Sequence, residues 1–570
     1  MRRMSIGAQG CLCVILIAVS GLIALAADPI TTGLVAVGQK GMVASDHLLA
    51  SQIGAEILAQ GGNAVDAAVA TAFAIGLVAP YCAGIGGEGM MLITLADGTE
   101  VAIDFRSWAP GHVTKETPVN KYGPKSVCIP GQVAGLAMAL EKYGTMTLAE
   151  VLEPVIKLAR EGFPYDEWLA GMVSYIYDDI LEQPAAAELF LNPDGTIPEV
   201  GSTFTNTGLA QALELIAKDG PAAFYKGPIA DAIVEATEGW ITHEDLAAYR
   251  AVERDPIRGS YRGYELLTAP PPVGGTILVE ALNILEHFNL AAFHSPADPM
   301  VIHLIAQALL LAWADFDQYV ADPGFIDVPV AQLIDKRYAR ERLKLIRLNQ
   351  TLEPGSVPAG DPYHFAPVAA QSESRDAVAT SGSTTHISVV DAKGNVVALT
   401  QTISSAWGSR VFVPRFGFPL NNEFRNFKGY NPDQPNDLDY AGPHKRPRTE
   451  LCPTIIRKSG NPIWVLGTHG SARIPSTVLE TIVNLIDFGM DLYTAIVAPK
   501  FCSSTRYKEL RMETGFPVET VTTLEDMGYV IKTYGELDWY FGGVNAIQLL
   551  DKYMIGVGAP RDEGSAAGVW

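Results

Sequence analysis

The chain has 570 residues, 48% of them hydrophobic and 18% charged, which suits a globular protein and excludes a disordered one. That length is enough for one large core or for several domains. A formal net charge of −22 argues against nucleic acid or an anionic membrane surface as partner.

Arg2 and Arg3 precede an apolar run over residues 11–25, and Ala24-Leu25-Ala26 fits a small-x-small cleavage site. The run is short, Asp28-Pro29 follows at once, and no later run approaches the ~20 apolar residues that a span needs. Residues 1–26 therefore read as a cleaved signal, with export to the periplasm or the cell exterior and no remaining membrane span. Cys11 and Cys13 leave with it. Cys82, Cys128, Cys452 and Cys502 remain, scattered and without C-x-x-C spacing, so neither zinc nor redox chemistry is indicated. Disulfides and buried free thiols both stay open.

Residues 41–45 read as a short strand. Leu49, Ile53 and Ile57 recur at helical spacing until Gly61-Gly62. Asn63 can cap a helix over residues 64–78, which is apolar all round and so expected to be buried. The run Gly84-x-Gly86-Gly87-x-Gly89 superficially matches a dinucleotide fingerprint. That motif must follow a strand and open a helix, whereas here a helix precedes it and a strand-like run over 90–95 follows. These glycines read instead as close backbone packing. Further helices are expected over 132–143, over 148–160 with Thr147 and Glu150 as capping box, and over 209–218, 300–320 and 335–348.

Residues 351–383 are rich in Pro, Gly, Ser and Ala and show no hydrophobic period. They end abruptly where residues 385–390 begin to alternate as a strand, turn through Asp391 to Asn395, and continue as a second strand over 396–403. Thr384 stands at the leading edge of this hairpin. A long structureless stretch that stops at a strand beginning with Thr has the form of an autocatalytic cleavage site. A second strand pair, 454–458 and 462–467, turns at Ser459-Gly460-Asn461; a helix over 476–488 and a final strand near 546–550 close the chain. Periodicity alone gives mixed α and β, with no internal repeat.

The run from Thr384 to Asp391, then Thr400-Gln401-Thr402, Trp407-Gly408-Ser409 and Leu420-Asn421-Asn422-Glu423, resembles the small subunit of the γ-glutamyltransferases, which are N-terminal-nucleophile hydrolases. The resemblance extends to Asp104-Phe105-Arg106, Gly84 to Gly87, Lys445-Arg446-Pro447 and Gly467-Thr468-His469-Gly470, and so covers nearly the whole mature chain. It implies an α+β fold, the four-layer αββα sandwich. It implies a precursor cut between Ser383 and Thr384 into a large subunit (27–383, with 359–383 as exposed linker) and a small one (384–570), with no cofactor and no metal.

A Thr hydroxyl is a weak nucleophile until a base takes its proton. Cleavage before Thr384 frees an α-amine whose reference pKa near ~8 makes it a usable base. The same hydroxyl can first attack the Ser383 carbonyl to give an ester that water hydrolyses. An amide substrate then acylates the enzyme, and water or an amine acceptor resolves it. By the resemblance, Thr402 hydrogen-bonds the nucleophile, the backbone at Gly470 and Ser471 forms an oxyanion hole, and Arg106 grips the substrate carboxylate.

The sequence departs from the family at the substrate side. Asn426 stands where an Asp binds the γ-glutamyl ammonium, Ser404 where an Asn is usual, and Thr449-Glu450 where a Ser pair is usual; Glu423 keeps a Gln or Glu position. Ser471 replaces the second oxyanion glycine, and the segment 428–442 is short for a lid, which implies an open cleft. Three readings follow: hydrolase or transferase for glutathione-like γ-glutamyl compounds, acylase for glutaryl- or oxamate-type amides without an α-amine, or a binding protein on the same fold. Intact Thr384 and Arg106 weigh against the third. Glu450 facing the pocket would favour the first, and Arg425 and Arg448 facing it the second.

Overall fold

The computed structural model describes residues 30–367 and 382–570 of the chain. The expected signal and most of the linker thus lie outside the described residues. The 385–390 and 396–403 runs form one hairpin of two ten-residue strands, Gly382–Asp391 and Val396–Ser405. Asp391 closes its turn by accepting from the backbone of Lys393 and Asn395 at 2.8 and 3.0 Å. The hairpin sits in the middle of an eight-stranded antiparallel sheet. Its order is Ile30–Gly33, Ser565–Val569, Gly41–Ser45, Gly382–Asp391, Val396–Ser405, Glu88–Thr94, Glu100–Asp104 and Val252–Arg254. A second, seven-stranded sheet is built around Thr454–Lys458 and Asn461–Thr468.

Side-chain alternation decides which way each residue of the hairpin faces. Ile387, Val389, Val397 and Leu399 enter the core shared with the helices Leu48–Ala59, Ala64–Val78 and Leu148–Glu161. Val390, Val396 and Ala398 point the other way, into the core between the two sheets, which extends to the helices Gly275–Leu285, Pro299–Tyr319 and Ile474–Ile486. The result is the four-layer αββα sandwich. Ala64–Val78 is one of the helices packed on the first of these cores. All fifteen of its residues are buried, and Asn63 and Asp66 cap it reciprocally.

The glycine run packs as the sequence suggests. A Cβ at Gly86 would lie 2.2 Å from the Pro419 carbonyl oxygen, and one at Gly87 2.3 Å from that of Thr402. Four expectations need correction. The 335–348 helix is only Lys336–Leu343, because Lys344, Leu345 and Ile346 donate to carbonyls three residues back and tighten the chain out of the α-helix. The strand near 546–550, seen as Val544–Leu549, is not the last: Met554–Val557 and Ser565–Val569 follow it. Pro299–Tyr319 is a 21-residue helix apolar enough to cross a membrane, contrary to the expectation that no such run exists. It is nonetheless a core helix, with Gln307 donating to Tyr529 at 2.9 Å and Asp315 accepting from Tyr338 at 2.8 Å. The predicted elements also omit a series of short helices between residues 167 and 248. Finally, Cys82, Cys128, Cys452 and Cys502 are buried, separate thiols, and burial raises the pKa of each.

Candidate active site

At the open end of the hairpin the cross-strand register slips. Ser383 pairs with Ser404 and Thr384 with Thr402, so the strands are out of step between Ser383 and Thr384. A bulge here bends the strand and breaks the regular ladder. Ser404 adopts a left-handed φ of 80°, rare for a residue with a Cβ, and thereby aims its N–H at the Thr402 hydroxyl at 2.8 Å. Around that hydroxyl a local network closes. The Thr384 hydroxyl donates to Thr402 Oγ1 at 3.0 Å, and Thr402 Oγ1 donates to the Ser383 carbonyl oxygen at 2.7 Å. The Ser383 hydroxyl is tied to the Tyr81 carbonyl at 2.8 Å. All three residues are buried, Thr384 only 7% exposed. His386, two residues along the same strand, is no base for this hydroxyl. Its two nitrogens contact the Thr400 and Ser388 hydroxyls at 2.8 and 3.0 Å, and burial alone depresses its pKa to about 3.

Thr384 and Thr402 open onto a small cavity whose lining includes Ser404, Glu423, Arg425, Asn426, Thr449, Glu450 and Ser471. Gly470 precedes Ser471 with φ 125°, and Ser471 follows at 55°; both are left-handed positions at the turn that leads into Ile474–Ile486. Successive backbone N–H groups in such a turn form a concavity for anions. No residue of the 428–442 segment lines the cavity among those described.

A family model described as gamma-glutamyltranspeptidase matches residues 50–569. The chain belongs to the gamma-glutamyltranspeptidase family. The glutathione hydrolase proenzyme of Escherichia coli (strain K12) is 39% identical over 86% of this chain and 85% of its own. The acylase ACY 1 proenzyme of Pseudomonas sp. (strain SE83) is 38% identical over 93% and 94%. Among solved structures, a cephalosporin acylase from Bacillus halodurans superimposes with a TM-score of 0.83 at 30% identity, covering 94% of this chain and 97% of that one. The protein is therefore an N-terminal-nucleophile enzyme of this family.

Within this gamma-glutamyltranspeptidase framework, Arg106 stands behind Glu423 and is not among the residues that line the cavity. Its guanidinium is completely buried, ion-paired with Glu88 and with Glu423 at 3.0 Å, and it donates to the Pro447 carbonyl at 3.1 Å. Glu88 in turn accepts from the Ser107 backbone at 2.7 Å. The carboxylate grip expected of Arg106 is thus occupied by two of the protein's own carboxylates. Asn426 donates to Glu423 at 2.7 Å and, more weakly, to Ser404 at 3.4 Å. Arg448 points elsewhere, to Asp439 at 2.5 Å and Asp317 at 3.1 Å. Arg425 and Glu450 both line the cavity.

Sequence reasoning did not single out the groups beneath the Gly470 turn. His469 lies 2.6 Å from Asp562, and Asp46 pairs with Asn545. Burial pushes Asp46 up and Asp562 adds to it, to about 7; burial pushes His469 down, but Asp562 and Asp46 outweigh it and its pKa rises. No local spacing announces this cluster, since its members come from distant parts of the chain. One group among the described residues could bring three metal-ligand atoms together, His47, Asp166 and Glu563. His47 Nδ1 accepts from the Leu49 N–H at 3.2 Å, which leaves the proton on Nε2, the nitrogen facing Asp166. With that tautomer the ring has no lone pair for a cation.

Proposed function

We propose that the protein is a self-processing amide hydrolase and acyltransferase in which Thr384 first cuts its own chain and then carries an acyl group. The observation that supports this best is the chain of hydroxyls from Thr384 through Thr402 to the Ser383 carbonyl. In the precursor, Thr384 Oγ1 bonds to the Ser383 carbonyl carbon, the bond to the Thr384 nitrogen breaks, and that nitrogen takes up the proton. Thr402 steadies the charge on the carbonyl oxygen while this happens. Water hydrolyses the ester and leaves a large subunit ending at Ser383 and a small one beginning at Thr384.

The freed amine is then the base for the same hydroxyl. In turnover the substrate carbonyl replaces Ser383: Thr384 Oγ1 bonds to its carbon, the Gly470–Ser471 backbone receives the oxyanion, the amide C–N bond breaks, and the amine leaves with the proton that the Thr384 amine took from the hydroxyl. Preorganised donors of this kind contribute ~3 kcal/mol each. Water or an amine accepts the acyl group. The donors are γ-glutamyl amides such as glutathione, by likeness to the glutathione hydrolase proenzymes. A second reading, an acylase for acids without an α-amine, draws on the uncharged Asn426 and on the acylase relative. Export rests on the character of residues 1–26.

Denaturing electrophoresis with N-terminal sequencing tests the first step: two bands are expected, the smaller beginning at Thr384. Turnover of γ-glutamyl against glutaryl anilides tests the second. A single uncut band from active protein would refute the self-cleavage.

A further inference from the structure

Ile403 is the extra residue of the bulge beside the bond to be cut. Thr384 pairs with Thr402 and Ser383 with Ser404, which leaves Ile403 without a register partner on the facing strand among the described residues. Its backbone groups turn elsewhere. The Ile403 N–H donates to the Cys82 carbonyl at 3.1 Å, and the Ile403 carbonyl accepts from the Asn422 N–H at 3.2 Å. Next comes Ser404 with its φ of 80°, a conformation that persists in a residue with a Cβ only where the surroundings hold it.

Asn422 supplies that hold. Its Oδ1 accepts from the Ser405 N–H at 3.0 Å, and its Nδ2 donates to the Ser405 hydroxyl at 3.0 Å and to the Lys121 carbonyl at 2.9 Å. One residue therefore grips the chain on both sides of Ser404, by its backbone at Ile403 and by its amide at Ser405. Asn421 in turn fixes Asn422. Its N–H and its Nδ2 both donate to the Gly86 carbonyl, at 3.0 and 2.9 Å, and Nδ2 also reaches the Cys128 carbonyl at 2.9 Å. Its Oδ1 accepts from the N–H groups of Cys128 and Glu423, each at 3.1 Å. Both asparagines are completely buried, and neither is among the residues lining the cavity.

The effect of this hold is felt at Thr402. A hydroxyl has one proton and two lone pairs. Thr402 Oγ1 accepts from the Ser404 N–H at 2.8 Å and from the Thr384 hydroxyl at 3.0 Å, which fills both lone pairs. Its proton is left for the Ser383 carbonyl oxygen at 2.7 Å. Once the Ser404 N–H turns away, the two threonine hydroxyls can exchange donor and acceptor roles, and the Ser383 carbonyl loses its donor.

We propose that Asn422 is a positioning residue for self-cleavage: it holds Ser404 left-handed, and the Ser404 N–H then aims the Thr402 proton at the bond to be cut. This rests on the reading of Thr384 as the nucleophile. It gives the Asn421-Asn422 pair a part in processing and none in substrate contact.

Rates of precursor loss on denaturing gels, with the Tm of each purified chain as the check on folding, test the proposal. Asn422→Ala should cut itself roughly 10- to 100-fold more slowly than the wild type, a smaller loss than removal of the oxyanion donor itself. Glycine takes a left-handed φ without a Cβ penalty, so adding Ser404→Gly to Asn422→Ala should restore most of the rate. A general loosening of the fold would not be repaired by a further glycine. A folded Asn422→Ala that cuts at the wild-type rate overturns the proposal, and so does a slow one that Ser404→Gly does not speed up. If Asn422→Ala does not fold, residue 404 decides alone: Ser404→Val should cut roughly tenfold or more slower than Ser404→Gly, because a β-branched residue resists this φ. Equal rates for those two overturn the proposal. A wild type that stays whole removes the nucleophile reading and this one with it, whereas a wild type that cuts while the variants match it removes only the role of Asn422.

Discussion

Thr384 and Thr402 face each other across the hairpin with hydroxyls 3.0 Å apart, and the Thr402 hydroxyl is 2.7 Å from the Ser383 carbonyl oxygen. One side chain thus touches both the attacking atom and the oxygen of the bond to be cut. Thr402→Val keeps the shape and the β-branch but has no hydroxyl. Self-cleavage should slow by roughly 10²–10³-fold, the cost of one oxyanion donor. Thr402→Ser should stay within about tenfold of the wild type. A time course of precursor loss on denaturing gels measures both, and unchanged cleavage in Thr402→Val would assign Thr402 to packing alone.

Thr384→Ala should leave the chain whole, because no hydroxyl remains to attack Ser383. Thr384→Ser keeps the nucleophile and should cut. Purified Thr384→Ala should also be inactive on any amide, measured as released aniline. Activity in that variant would place the nucleophile elsewhere.

Arg106 is the residue for which the sequence and the structure lead to different experiments. By resemblance it holds the substrate, so its loss should damage catalysis and spare the fold. In the structure it is the shared partner of Glu88 and Glu423, both buried. Arg106→Ala strands two carboxylates, and breaking a buried pair costs ~3–5 kcal/mol. A clear drop in Tm is expected, partly recovered when Glu88→Gln is added. A Tm equal to the wild type together with a raised KM would return Arg106 to the substrate.

The pH dependence of stability should carry the mark of His386. Its folded pKa is about 3 against an ordinary value of 6.5, so the folded state binds fewer protons than the unfolded state in between. Stability from this group is therefore full above pH 6.5 and is lost as pH falls towards 3, at up to about 1.4 kcal/mol per pH unit. Asp46, raised to about 7, works in the opposite sense and gains stability as pH falls. Comparison of wild type with His386→Gln cancels Asp46 and isolates the histidine. The acid limb of urea unfolding should be flatter in the variant between pH 6.5 and 3; identical limbs would mean that His386 is not held neutral.

The hairpin, the buried helix Ala64–Val78 and the capped helix Leu148–Glu161 were legible because alternation, an all-round apolar face and a capping box are local signals. Ser565–Val569 was not. Its Ser-Ala-Ala-Gly-Val has little β-propensity, and it becomes a strand only through its neighbours Ile30–Gly33 and Gly41–Ser45. In the site, the pairing of Thr384 with Thr402 follows from the hairpin register. The pairing of Arg106 with Glu423, and the choice of Arg425 rather than Arg448 for the cavity, depend on contacts between residues hundreds of positions apart or on a side-chain direction in an irregular loop. Neither has a local signature.

Gly470 gives the last test, because it separates the two oxyanion sites. The Ser383 oxygen in the precursor is held by the Thr402 hydroxyl, whereas the substrate oxygen in turnover is proposed to meet the backbone at Gly470 and Ser471. Gly470 has φ 125°, outside the range that residues with a Cβ adopt readily. An added Cβ would find its neighbours only at 3.6 Å, so space is not the obstacle. The strain of ~1–3 kcal/mol would be relieved by turning the peptide, which moves the N–H away from the oxyanion. Gly470→Ala should therefore cut itself at close to the wild-type rate yet lose ~10²-fold or more in kcat. Thr402→Val should show its larger defect in cleavage. Rates of precursor loss and of anilide turnover, measured on both variants, give the comparison. If Gly470→Ala slows cleavage as much as turnover, one oxyanion site serves both reactions and the division of labour is wrong.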